Sequence, residues 1–136
     1  MAFQTPGYKL PGHVAGVDLR QNQFYIGEVS GDLEIGVADA NTDFPIGVIQ
    51  NDPNIGEAVE VMVTGVTKVV TRDDTISPGD LLTWNSDGRV EAIGADADEM
   101  VIGIALSDTP GATITQDVLI PMALIPMGEF DNTPEG

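Results

Sequence analysis

Few residues in this sequence have the types or spacing that chemistry needs. His13 is the single histidine and stands in a stretch broken by Pro6, Gly7, Pro11, Gly12 and Gly16. A Ser/His/Asp triad or a histidine metal site would therefore have to be built on a segment with no periodic pattern to hold it. Carboxylates are plentiful instead: Asp39 with Asp43, Asp73-Asp74, and Asp96 with Asp98 and Glu99. Calcium takes several carboxylate and carbonyl oxygens from one loop, and Ala95-Asp96-Ala97-Asp98-Glu99 offers some of them. The alternating ligands, Gly and distant Glu of an EF-hand are absent. With 22 Asp and Glu such groupings arise by chance, so they read as solvated loop charge, and a glycosidase pair gains no support from them. Pro78-Gly79-Asp80 lacks the Lys and following helix of a phosphate loop. Trp84, the single tryptophan, has Asn85 beside it but no second ring nearby in sequence, which favours packing in the core or at a subunit interface over sugar stacking. No catalytic, metal or cofactor site is expected.

The overall charge narrows the partners. Against 22 Asp and Glu stand 5 Lys and Arg, for a formal net charge of −17. Binding to phosphate backbones depends on Lys and Arg displacing counterions, so nucleic acid and anionic membranes are not expected partners. Two causes of the acidity stay open: adaptation to concentrated salt, and a surface that resists aggregation. Without cysteines there are no disulfides or thiolate metal sites, and the redox compartment is not legible. The start has no basic region followed by an apolar one, and the longest apolar run, 118–127, is cut by Pro121 and Pro126 and too short for a bilayer. The expectation is a protein soluble when made.

The elements that would position any site are strands. Aromatics are 5% of the chain, and 16 Gly and 9 Pro punctuate its whole length, so the predicted class is all-β with little helix, at most a turn or two around 97–100. Phe44-Pro45-Ile46-Gly47-Val48-Ile49 and Met100-Val101-Ile102-Gly103-Ile104-Ala105 are one apolar strand written twice, at an offset of 103 − 47 = 56. The same offset aligns Tyr25-Ile26 with Leu81-Leu82, Ser30-Gly31-Asp32 with Ser86-Asp87-Gly88, Glu28 with Trp84 and Asp52 with Asp108. Hairpins are predicted at 24–29/33–37 and at 81–84/89–93, the second joined by Asn85-Ser86-Asp87-Gly88. Further strands are predicted at 44–50, 58–64 continuing to 67–71, 101–106, 117–121 and 123–127. Each unit leaves an apolar face and open edges that the other can cover, which implies a small barrel or paired-sheet body from two similar β units. Residues 24–127 form this body. Residues 1–23 read as an extended N-terminal arm, ordered against something else or folded back on its own domain, with Phe3, Tyr8, Leu10 and Val14 as its apolar anchors. Residues 128–136 read as a solvated acidic tail.

Gly65-Val66-Thr67-Lys68-Val69-Val70, Ile76-Ser77-Pro78-Gly79-Asp80-Leu81-Leu82-Thr83-Trp84, Gly88-Arg89-Val90 and Val101-Ile102-Gly103-Ile104-Ala105-Leu106 together resemble the head decoration, or capsid cement, proteins of tailed bacteriophages and related viruses. Ile46-Gly47-Val48 to Val63-Thr64-Gly65-Val66 is similar to the first part of the same proteins, so the likeness spans about residues 24–125. The resemblance implies a non-enzymatic virion protein without cofactor. It implies a homotrimer on the outer surface of the capsid near local threefold axes, clamping major capsid protein subunits, with the arm docking on the capsid or a neighbouring subunit. The alternative function is a carbohydrate- or host-surface-binding module of a tail or fibre, with Trp84 as its platform.

The two explanations of the acidity separate in one measurement. A protein adapted to concentrated salt loses its folded circular dichroism signal at low ionic strength, where carboxylate repulsion is least screened, whereas a merely soluble surface keeps it.

Overall fold

The computed structural model describes residues 7–40, 42, 45–71, 75–93, 99–109 and 118–130. Among them are ten strands and no helix: β1 (Tyr8–Leu10), β2 (Val14–Ala15), β3 (Ile26–Gly31), β4 (Glu34–Val37), β5 (Gly47–Ile49), β6 (Val61–Thr71), β7 (Leu81–Trp84), β8 (Val90–Ala92), β9 (Glu99–Ala105) and β10 (Val118–Phe130). The all-β expectation holds. The C-terminal half of β6 pairs with β10, β10 with β9, β9 with β7 and β7 with β8. β8 then returns to β6 through the parallel pair Thr71↔Val90, closing a five-stranded barrel.

The remaining strands repeat that order. The start of β6 pairs with β5, β5 with β3 and β3 with β4. β4 meets β2 in parallel, at Val14↔Glu34 and Ala15↔Ile35. The stretch 8–15 runs antiparallel to the chain entering β6, at Tyr8↔Thr64, Leu10↔Val61 and Val14↔Ala58. This makes another ring, the first in chain order, with the five-stranded barrel as the second; β6 is the last strand of the first ring and the first strand of the second. Gly65 bends it there at φ 118°, where a Cβ would lie 3.0 Å from the Cα of Gly7.

Pairing register refines the repeat. Ile26↔Val48 and Gly27↔Gly47 in the first ring correspond to Leu81↔Ile104 and Leu82↔Gly103 in the second. The central strands keep the offset of 103 − 47 = 56, but the hairpins are related by 81 − 26 = 55. Val61↔Ile49 and Met122↔Ala105 relate the last strands by 122 − 61 = 61. A one-residue slip turns each strand residue to the other face. Trp84 therefore corresponds to Val29 and not to Glu28, because the link between the hairpin and the central strand is one residue longer in the second ring.

The two interiors are filled from corresponding places. Ala15, Ile35, Ile49 and Val61 are buried in the first core with Leu19 and Val59. Thr71, Val90, Ala105 and Met122 are buried at the equivalent positions of the second. Bulk is traded within each set. Gly27 leaves room for Ile49 and Ile35, whose side-chain carbons would be 3.1 and 3.3 Å from a Cβ there; the second ring has Leu82 in that place and only Ala105 opposite. Such exchanges keep interior density constant. Both central glycines are needed for close approach. A Cβ on Gly47 would overlap the Met62 carbonyl, and one on Gly103 would lie 2.5 Å from Met122 Sδ.

The rings are joined by the β7–β8 turn. The Ile26 N–H donates to the Gly88 carbonyl at 2.8 Å, and Trp84 Nε1 donates to the Asp39 carbonyl at 3.0 Å. Gly88 is buried at φ 87°, and a Cβ on it would overlap Val37 and lie 3.1 Å from the Ala38 oxygen. Phe24 adds a second clasp: its carbonyl accepts from the Val70 N–H at 3.1 Å, and Lys68 Nζ stands 5.6 Å from its ring centroid. Phe24 and Leu33 are the two non-glycine residues with positive φ among the described residues, at 68° and 56°. At the hairpin offset of 55 they correspond to Gly79 and Gly88, at 90° and 87°. Both turns thus demand a left-handed residue, and the first ring meets that demand with bulky side chains at a cost of about 1–2 kcal/mol each.

The structure refines four expectations. Residues 8–15 belong to the first ring, because Leu10 packs on its core and Ala15 is buried in it. The predicted strands 117–121 and 123–127 are one strand, β10. Pro121 is tolerated because its carbonyl faces the Leu106 N–H at 3.0 Å, so the missing donor falls at the end of the β9 ladder. Pro126 lies at the register irregularity between Leu124 and Gly128. Residues 128–130 pair with 101–99 and so are strand, not tail, and Met100 is strand where a helical turn was predicted.

Two glycines test the account. Gly79→Ala meets no atom within 4 Å and should cost only about 1–2 kcal/mol of backbone strain. Gly88→Ala should cost about 3–5 kcal/mol, since overpacking adds to the same strain. Urea denaturation of the two variants measures the difference.

Candidate functional site

The anchors chosen from sequence do not form one exposed set. Phe3 lies outside the described residues. Tyr8 is 67% exposed on the outer side of β1. Leu10 is half-buried against the first core, and Val14 is half-buried in β2. The ring of Trp84 packs on the second core, and its Nε1 is occupied by Asp39.

Among the described residues, polar groups do not converge on a reaction centre. The Nδ1 of His13 lies 2.8 Å from the carbonyl of Pro11. Among the described residues, no three His, Cys, Asp or Glu side chains gather where an ion could bind. Asp43, Asp73, Asp74, Asp96 and Asp98 lie outside those residues. A shallow apolar crease between the rings, lined by Ile26, Pro45, Gly47, Ile102 and Leu124, has no room for a water molecule. Gln50 is buried with Nε2 donating to the Val48 carbonyl and the Thr67 hydroxyl at 3.1 and 2.8 Å, and its Oε1 has no partner.

The surface is distinctive in charge. Each described Lys or Arg is engaged within the chain: Lys9 with Glu60 at 3.6 Å, Arg20 with Asp18, Arg89 with Asp87, and Lys68 over Phe24. The sequence from 21 to 67 holds eight carboxylate residues and no Lys or Arg. Against this acidic field several large apolar side chains stand exposed, chief among them Tyr8, Ile55, Leu33 and Val29. Ile55 is presented by a braced turn, in which the Asn54 N–H donates to Glu57 at 2.6 Å and the Gly56 N–H to the Ala15 carbonyl at 2.8 Å. Val29, Leu33 and Ile55 were not singled out from sequence. The signal for Leu33 was there in part, since its place in the first turn is the place of Gly88 in the second once the hairpins are aligned one residue apart from the central strands.

An all-β body of two rings that exposes apolar side chains on an acidic surface, rather than a polar cleft, has the character of a binding or structural protein. Residues 13–120 match the family described as phage cement protein, and the chain belongs to that family. A role in cementing a phage capsid comes with that membership, and with it binding to the capsid and a place in the virion. No curated protein matches the sequence.

One titration follows from the surface geometry. Arg20 Nε and a terminal guanidinium nitrogen donate to Asp18 at 2.9 and 2.7 Å, and the Arg20 backbone N–H donates at 3.0 Å. These bonds lower the Asp18 carboxyl from 3.8 to about 2. The folded state thus holds the carboxylate more firmly than the unfolded chain does. The contribution of the pair is complete above the unfolded value of 3.8 and is lost as pH falls towards about 2. Carboxyl-carbon NMR titration should find the Asp18 midpoint near the lower value, and Arg20→Ala should return it to the ordinary range.

Proposed function

We propose that the protein binds the outer surface of the head as a homotrimer near local threefold axes and holds neighbouring major capsid protein subunits together against internal pressure. The family match over 13–120 carries this reading. The geometry supports it, since two cores and shared ladders make a stiff body, and a stiff body loses little entropy on docking. Symmetric copies on one shell gain avidity even where each contact is weak. Tyr8 is the exposed anchor of the N-terminal segment, and Phe3 precedes it in the same segment. Leu10 and Val14 act mainly through the first ring, by holding that segment in place. Trp84, half-buried and hydrogen-bonded to Asp39, offers the rest of its ring to subunit contact. Packing of the ring against the second core weighs against a sugar platform, which needs an open ring face.

The purified protein should co-sediment with mature, expanded heads made without it and raise their resistance to heat or chelator. Recovery in the supernatant would refute the reading. Deletion of residues 1–6 or Tyr8→Ser should weaken sedimentation with heads while leaving the β-rich circular dichroism spectrum unchanged.

A further inference from the structure

We propose that the β3–β4 turn, with Val29 and Leu33 at its surface, is a docking knob for a shell surface that offers an apolar depression rimmed by Lys or Arg side chains. This rests on the capsid reading above and names the contact that would carry it.

The argument starts from the second ring, where the same turn already has a seat. There Gly88 lies buried against Val37 and Ala38 with its carbonyl bonded to Ile26, and Trp84 packs beside it and reaches Asp39. The equivalent turn of the first ring has no such seat within the described chain: Leu33 is 57% exposed and Val29 54%. Its two distinguishing residues are those that correspond to Gly88 and Trp84. Leu33 could not occupy a copy of the Gly88 seat, since even a single carbon there would overlap Val37. The first turn is therefore shaped for a different partner.

Leu33 is also an expensive choice for its position. At φ 56° glycine would be relaxed, and an exposed leucine adds no core burial. The conformation is held from outside, since the Leu33 carbonyl accepts from the Val14 N–H at 3.0 Å and Gly31 pairs with Glu34. Strained residues held this firmly cluster where a contact requires them. Phe24 provides the comparison. It occupies the other glycine-like position, but its side chain has an internal use beneath Lys68. Among the described residues nothing covers the exposed part of Leu33, which leaves it open to a contact outside the chain.

Charge chooses the occupant. Glu28 adjoins Val29 in sequence, Asp32 and Glu34 flank Leu33, and Thr42 donates to Glu28 at 3.0 Å. A second copy of the chain carries net −17, and every described cation on it is engaged. It would bring repulsion to this turn. A partner with free Lys or Arg around an apolar hollow meets both features.

The test mixes heads made without the protein with wild type, Leu33→Gly and Asp32→Lys, and measures co-sedimentation across a salt series alongside Tm and size-exclusion chromatography. Wild type should bind and weaken as salt rises. Leu33→Gly should keep or raise Tm, keep the oligomeric state and lose at least about tenfold in head affinity. Asp32→Lys should fold normally and bind more weakly at low salt. Wild-type binding with Leu33→Gly equally tight overturns the knob and leaves the capsid reading standing, whereas failure of wild type to bind overturns both. A Leu33→Gly protein that changes oligomeric state makes a second copy the occupant, and binding indifferent to salt and to Asp32→Lys overturns the basic rim.

Discussion

Everything in this molecule depends on β6 serving two rings without a break. Its first residues complete the ladder of one ring and its last seven begin the barrel of the other. Gly65 lets the strand bend between these duties while Gly7 crosses close beside it. A continuous strand couples the halves more tightly than a linker would, because every ladder bond on either side of Gly65 restrains the same backbone. The closing pair Thr71↔Val90 is short. On its other side Thr71 is tied to β10, where its hydroxyl donates to the Val118 carbonyl at 2.9 Å.

Around that spine the two copies have diverged by compensation. Gly27 with Ile49 in one core and Leu82 with Ala105 in the other fill similar space with opposite distributions of bulk. Divergence went further at the turns. Gly88 and Trp84 in the second ring fasten it to the first, while Leu33 and Val29 at the equivalent places remain outside. One copy of the hairpin became an internal joint and the other a free surface. Duplication in this way supplies both rigidity and an interaction site from a single structural plan.

Rigidity and acidity suit a capsid cement. Among the described residues each Lys or Arg is engaged within the chain, which leaves a body of net charge −17 with a strongly negative field. On the proposed reading, its adhesive contacts are apolar groups set in that acidic field and aimed at basic hollows. Surface ion pairs such as Arg20 with Asp18 add little to global stability. Their effect here is to neutralise exposed cations locally.

The all-β class, the doubled unit and most strand positions were legible in the residues, because period-two alternation and Gly/Pro punctuation are local signals. Leu81–Trp84 coincides with its predicted strand, and the equivalence of Gly47 and Gly103 survives in the pairing. For the arm, outward docking and folding back both stayed open, because Tyr8, Leu10 and Val14 form no apolar run of their own; pairing with residues 58–64 and β4 makes this stretch part of a ring. The offset of 55 in the hairpins was hidden because a one-residue difference in a loop leaves no local mark. Whether Leu33 faces a neighbour or solvent, and that it shares a strained φ with a buried glycine, is a property of long-range packing. Sequence by itself determined what kind of chain this is, since local pattern and composition are enough for that; only the tertiary structure decided which copy of each turn became joint and which became surface, because that choice depends on register and on atoms far apart in the chain.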